Sequence, residues 1–149
     1  MPQDGFVELN GAGLERLSRS ECLALLASVP VGRIVYSDGA LPAIQPVNFL
    51  LDEGDIVIRT GADTRLAAAA RGTVVAFEVD EVQADSHDGW SVVVTGHARP
   101  VRDPDEVVRL ERSGLRAWAP GPKEHFIRIG VELISGRRIL PNGQVTGQP

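Results

Sequence analysis

The chain has 149 residues, 43% of them apolar and 23% charged, with a net charge of −5 and an isoelectric point near 5.2. That composition reads as a soluble globular protein, the length favours one domain, and the charge argues against a basic nucleic-acid footprint; no apolar run reaches bilayer length, and no signal peptide is expected at Met1. Its one cysteine, Cys22, rules out an intrachain disulfide or a cysteine-based zinc site and fits a cytoplasmic location.

A loose lead-in through Gly13 carries a short edge strand at Phe6–Leu9. Ser18 and Glu21 have capping-box spacing. The helix they start runs to about Ser28, with Cys22, Leu23 and Leu26 inward, and Pro30 stops it. Val31–Tyr36 reads as a strand and Ser37-Asp38-Gly39 as the turn after it. Leu41–Leu51 is the next strand. Pro46 lies inside it and cannot donate to a ladder, so the strand is expected to be an edge or to bulge there. Asp52–Asp55 turns the chain into a strand at Ile56–Arg59. After Gly61, Asp63 or Thr64 caps a helix through the alanines, which Gly72 ends.

Thr73–Asp80 is a strand with Val75, Phe77 and Val79 on one face. Glu81–Gly89 reads as an acidic loop. Trp90–Val101 is a long strand in which Gly96 signals a bend or bulge. Asp103, Pro104 and Glu106 start a third helix, and a Gly- and Pro-rich loop, Ser113–Lys123, carries Trp118. His125–Ile134 is the last strand, followed by Ser135–Ile139. Residues 140–149 read as a disordered tail. Hairpin-linked strands without a βαβ repeat predict a mainly β fold with short helices, a six-stranded antiparallel barrel occupying residues 1–139.

The chemistry concentrates where the Ile56 strand meets the alanine helix. Arg59, Thr60, Thr64, Arg65 and the N–H groups of the helix start are expected to converge there. A cation in the first turn of a helix is mildly unfavourable unless an anion joins it, and a phosphate would make the group a binding site. The alternative is that both arginines are solvated and Arg65 covers apolar surface with its stem. Elsewhere, His87, His97 and His125 lack ligand spacing and read as surface or barrel-wall residues, so no metal site is expected. Trp118 reads as a cap on the barrel rather than a cover for a cofactor.

A series of short motifs is similar to one family. In order they are the capped helix with Glu21-Cys22-Leu23, Val31-Gly32-Arg33-Ile34, Gln45-Pro46-Val47-Asn48-Phe49, Ile58-Arg59-Thr60-Gly61 with Thr64-Arg65-Leu66, Ala76-Phe77-Glu78-Val79-Asp80, Gly89 to Gly96, and Ser135 to Ile139. From Leu17 to Ile139 the chain resembles the pyridoxamine 5′-phosphate oxidase-like FMN-binding split barrels, especially the small actinobacterial, nitroimidazole-resistance-like type. The resemblance implies a split barrel and a homodimer with flavin sites at the subunit interface. It places the FMN phosphate on Arg59, Thr60, Thr64 and Arg65. The ring system lies along Pro46, Val47 and Asn48, and Trp90 and Ser91 of the partner subunit close the site. Many relatives carry lysine at the position of Arg65. Pyridoxamine phosphate oxidases also carry Arg and His residues near the C-terminus for the substrate phosphate. This chain offers only Arg137 and Arg138 there, so that activity is not expected.

Two function classes follow. One is a flavin-dependent oxidoreductase acting on a small molecule, with FMN as cofactor, deazaflavin as the competitor and haem more remote. The other is a non-catalytic flavin-binding or sensing protein. No catalytic side chain is identified, because the cofactor would carry the redox chemistry.

Overall fold

The computed structural model describes residues 14–121 and 123–140, so the expected Phe6–Leu9 strand and residues 141–149 of the expected tail lie outside it. The elements are β1 (Leu14–Arg16), α1 (Arg19–Leu26), β2 (Val31–Asp38), β3 (Leu41–Asp52), β4 (Asp55–Gly61), α2 (Arg65–Ala69), β5 (Val74–Gln83), β6 (Asp88–Pro100), α3 (Pro104–Glu111), β7 (Glu124–Ile129) and β8 (Leu133–Ile139). They fall into two compact units. One holds residues 30–77 and 94–133; the other holds 14–29, 78–93 and 134–140.

The first unit is an antiparallel ring of strands in the order β6-β5-β2-β3-β4-β7, closed by a β6–β7 pairing. This is a split barrel, as expected. The ring closes because strand alternation gives it an inner face: Ile34, Val47, Phe49, Ile56, Ile58, Val75, Phe77, Val94 and Ile127 are all buried. Phe49 and Phe77 meet edge to face with centroids 4.8 Å apart. On the outer face of β4 and β7, Val57 and Phe126 pack with Val101, Leu110 and Leu115, which seats α3 there. The α3 start is as expected: Asp103 accepts from Glu106 N–H and Pro104 opens the helix.

Pro46 does not bulge β3. The β2–β3 register runs unbroken through Arg33↔Pro46, whereas the β3–β4 register covers only Phe49 to Asp52. Pro46 therefore lies where β3 has one partner, an edge within a strand that is central further on. The β3–β4 turn has φ of 53° at Glu53 and 83° at Gly54, the positive pair a type I′ hairpin requires.

Three boundaries differ from the expectation. The acidic loop is only residues 84–87, because β5 runs on to Gln83 and β6 begins at Asp88. Ladder bonding between exposed strands tolerates the charges that had suggested a loop. The last strand divides: β7 ends at Ile129, and β8 takes up the chain at Leu133. Between them Gly130 N–H and Glu132 N–H donate to the carbonyls of His97 and Thr95, so the interruption stays attached to β6. The alanine helix is short, since α2 ends at Ala69.

The second unit contains the expected capping box. Ser18 Oγ accepts from Glu21 N–H and Glu21 accepts from Ser18 N–H. Cys22 and Leu26 are fully buried. β1 pairs with β8, and Arg138 bonds Glu15 across that pair at 3.2 Å. Among the described residues no helix is long and apolar enough to cross a membrane.

Candidate functional site

The β4–α2 turn is built by its threonines. Thr64 caps α2: its Oγ1 accepts from Ala67 N–H at 3.0 Å and donates to the Gly61 carbonyl at 2.9 Å. With that hydrogen committed, the 3.2 Å contact between Thr60 Oγ1 and Thr64 Oγ1 has Thr60 as donor. Thr60 is 7% exposed and fixed in β4 opposite His125, so its hydroxyl stands as a rigid wall of the turn. Arg65 opens α2 with its side chain 83% exposed, and its one ion pair among the described residues is to Asp38 at 3.3 Å. Helix geometry leaves the first N–H groups of α2 without intrahelical acceptors.

Arg59 is not brought to this turn. Consecutive residues of a strand point to opposite faces, so Arg59 faces outward with Val57 while Thr60 faces the other way. Its guanidinium lies 3.0 Å from Glu111, 2.9 Å from Glu124 and 4.7 Å from the centre of the Phe126 ring. It also donates to the Leu115 carbonyl at 3.3 Å. The Nε–Glu124 contact is too poorly aligned to count as a hydrogen bond. The expected convergence of two arginines thus resolves into an exposed Arg65 paired with Asp38 and an Arg59 held by two carboxylates.

Pro46 and Asn48 also face outward, on β3, while Val47 between them is 2% exposed and points into the barrel. A ligand on the outer face would find no Val47 side chain to touch. Asn48 donates through Nδ2 to the Arg116 carbonyl at 3.2 Å. Asn48 and Arg59 therefore grip adjacent carbonyls, Arg116 and Leu115, of one loop. The contacts of Arg59 with Glu111, Glu124 and this loop were not foreseen, because no local spacing connects them. Trp118 on the same loop is 52% exposed.

Trp90 and Ser91 belong to the other unit. They are half-buried in β6 and line a cleft of about 370 Å³ with Leu14, Val82, Arg137 and Ile139. Of the histidines, His97 donates its backbone N–H to Glu132 at 2.8 Å and bonds it through Nδ1 at 3.0 Å, and these two contacts hold the Glu132 carboxyl below its ordinary range. Burial and then the charges of Arg102 and Arg71 lower the His125 pKa. His87 is exposed in a turn. Among the described residues no three metal-binding side chains cluster.

The family model described as pyridoxamine 5′-phosphate oxidase matches residues 18–138. The chain belongs to the pyridoxamine 5′-phosphate oxidase family. An uncharacterized protein of Mycobacterium tuberculosis is 40% identical over 133 residues, covering 86% of this chain and 87% of that protein. The FAD-binding protein of Mycobacterium smegmatis superposes with a TM-score of 0.70 at 38% identity, covering 83% of this chain and 96% of that one. A Corynebacterium glutamicum protein provisionally described as a pyridoxamine 5′-phosphate oxidase superposes at 0.71 with 35% identity, covering 85% and 94%.

Proposed function

We propose that this protein is a cytoplasmic, homodimeric flavoprotein, a flavin-dependent oxidoreductase acting on a small molecule. The observation that carries the reading is the β4–α2 turn. Arg65 is a guanidinium with one long ion pair, beside two threonine hydroxyls and open helix N–H groups. Arg59 and Arg128 of the same unit, by contrast, are each engaged by at least two carboxylates. The donors left over at the turn fit a phosphate.

In this reading Arg65, Thr60 and Thr64 hold the flavin phosphate, both threonine hydroxyls rotating away from the acceptors they have here to donate to it. Pro46, the Val47 backbone and Asn48 lie along the ring system. Arg59 acts at one remove, holding the 115–116 loop beside Asn48. Trp90 and Ser91 come from the partner subunit. When bound, the flavin supplies the electron-transfer chemistry; the chain positions it and shields it from water. FMN is the flavin that this phosphate site requires as a minimum. The FAD-binding name of the M. smegmatis relative supports FAD as the second reading, because FAD carries the same first phosphate.

Arg65→Ala should weaken FMN binding roughly 10-fold or more, since each charge-assisted hydrogen bond contributes about 1.5–3 kcal/mol. Riboflavin, without the phosphate, should bind both proteins alike, and the apoprotein should be as stable as wild type or slightly more so. Fluorescence titration with FMN, FAD and riboflavin measures all three, and the absorption spectrum separates flavin from deazaflavin and haem. Equal FMN affinities in the two proteins would remove Arg65 from the site. Assembly has its own test. Exposed Leu41, Ile44 and Val74 leave apolar surface for a partner subunit. Light scattering at micromolar concentration should give twice the chain mass; a monomer would end the shared-site reading.

A further inference from the structure

On the far side of α2 from Arg65 lies a cleft of about 310 Å³. Arg71, Arg102 and His125 line it together with Ala62, Ala67, Pro100 and Val101, and no carboxylate is among its lining residues. Among the described residues neither Arg71 nor Arg102 forms an ion pair, whereas Arg59, Arg109 and Arg128 of the same unit each do. Two like charges around one small cleft repel each other without a counter-charge, and short side chains keep the floor open for one. We infer that this cleft is a second anion site, built for a phosphate group, either the free ion or the ester end of a small molecule.

The walls are fixed by backbone bonds, so the arrangement does not depend on mobile side chains alone. Gly72 N–H donates to the Ala98 carbonyl and Ala98 N–H to the Thr73 carbonyl, which anchors the segment after Arg71 to β6. Val101 N–H donates to the Phe126 carbonyl, which sets Arg102 beside His125. Ala62 N–H donates to the Lys123 carbonyl and ties the third wall to the start of β7. His125 reports on the electrostatics: burial and both guanidinium groups lower its pKa, so at neutral pH its imidazole is uncharged and can donate one hydrogen bond. A bound dianion would oppose the two arginines and move that pKa back up.

The cleft is separate from the β4–α2 phosphate position proposed above. At 3.6 residues per turn, Ala67 lies about 200° around the helix from Arg65, and Arg65 is drawn away toward Asp38 of β2. The inference therefore stands or falls independently of the flavin reading.

The test follows the His125 imidazole by NMR while inorganic phosphate is added to the full chain, first alone and then with increasing FMN, with chloride at equal ionic strength as control. Phosphate should shift His125 saturably and raise its pKa; chloride should do neither. Arg71→Gln/Arg102→Gln should weaken phosphate at least about tenfold while FMN affinity stays within about twofold. Should the double variant fail to fold, the wild-type titration decides. Phenyl phosphate tells the two sources apart: tighter binding than phosphate points to an ester lying on the Pro100–Val101 wall, equal binding to the free ion. Identical responses to phosphate and chloride would overturn the site. So would one-for-one displacement of phosphate by FMN, or unchanged phosphate binding in a folded double variant.

Discussion

Arg128→Met should cost about 3–5 kcal/mol of stability, the effect of removing one partner from a buried ion pair. Arg128 lies on β7 with its side chain 4% exposed. It donates to Asp52 and Glu106, at 2.6 Å and 2.7 Å, and to the Asp52 carbonyl at 2.9 Å. Asp55 stands 3.4 Å away. Those partners join the β3–β4 turn, β7 and α3 through one guanidinium, and the outer cluster around Val57 packs beneath α3. Methionine keeps much of the stem but leaves Glu106 and Asp52 facing each other without the cation. Urea unfolding should show a lower midpoint with an unchanged slope. A loss below about 1 kcal/mol would mean the network behaves like a solvated surface pair. Adding Glu106→Gln to Arg128→Met should cost less than Glu106→Gln alone, because the groups share partners. Acid sharpens the test. Hydrogen bonds from Arg109 and then Arg128 lower the pKa of Asp52 in the folded protein. A depressed carboxylate stabilises the fold above its unfolded pKa, about 3.9, and that contribution fades as pH falls toward the folded value. Without Arg128 the Asp52 pKa moves back up, so the variant's acid transition should begin at higher pH than wild type's.

What could be read from the sequence is what depends on short spacings. Ser18 with Glu21, and Asp103 with Pro104 and Glu106, announce their helices within four residues. The alternation of Val75, Phe77 and Val79 announces the inner face of β5. Thr64 was legible as a cap for the same reason. The split barrel rested on motif order, which the family match supports. The direction of Arg59 was also available, since it shares a parity with Val57 and not with Thr60. What its spacing could not supply was its partners, because Glu111 is 52 residues away and reached only after α3 folds over β4. Arg128 was hidden for a related reason. In Phe126-Ile127-Arg128-Ile129 an arginine reads as the solvent-facing member of an alternating strand. It is buried only because Asp52, Asp55 and Glu106 arrive from elsewhere in the chain. The Arg71–Arg102–His125 cleft joins three segments that no motif connects.

Gly96→Ala should destabilise the protein by at least about 3 kcal/mol, the upper range for forcing extra volume into a packed site. A Cβ at Gly96 would lie 1.7 Å from the Gly130 carbonyl oxygen and 2.8 Å from its carbon. Both are backbone atoms, so no side-chain rotation relieves the clash. Nor is Gly130 free to retreat: its N–H donates to the His97 carbonyl at 3.2 Å, and Glu132 N–H donates to the Thr95 carbonyl at 3.2 Å. These bonds continue the β6–β7 seam that closes the ring, where Ala98 pairs with Ile129 and both side chains are fully buried. Relief requires parting the two backbones, which breaks the seam or tears Ile129 from the core. The sequence suggested a bend or bulge at Gly96; the structure gives the stronger reason, that another chain segment lies where a side chain would be. Gly121→Ala is the matched control, because nothing among the described residues lies within 4 Å of its added Cβ, and it should stay within about 0.5 kcal/mol of wild type. Thermal melts of the two variants beside wild type make the comparison. A Gly96→Ala protein that melts with wild type would show that β6 and the Gly130 segment do not meet as described, and would call the closure of the ring into question.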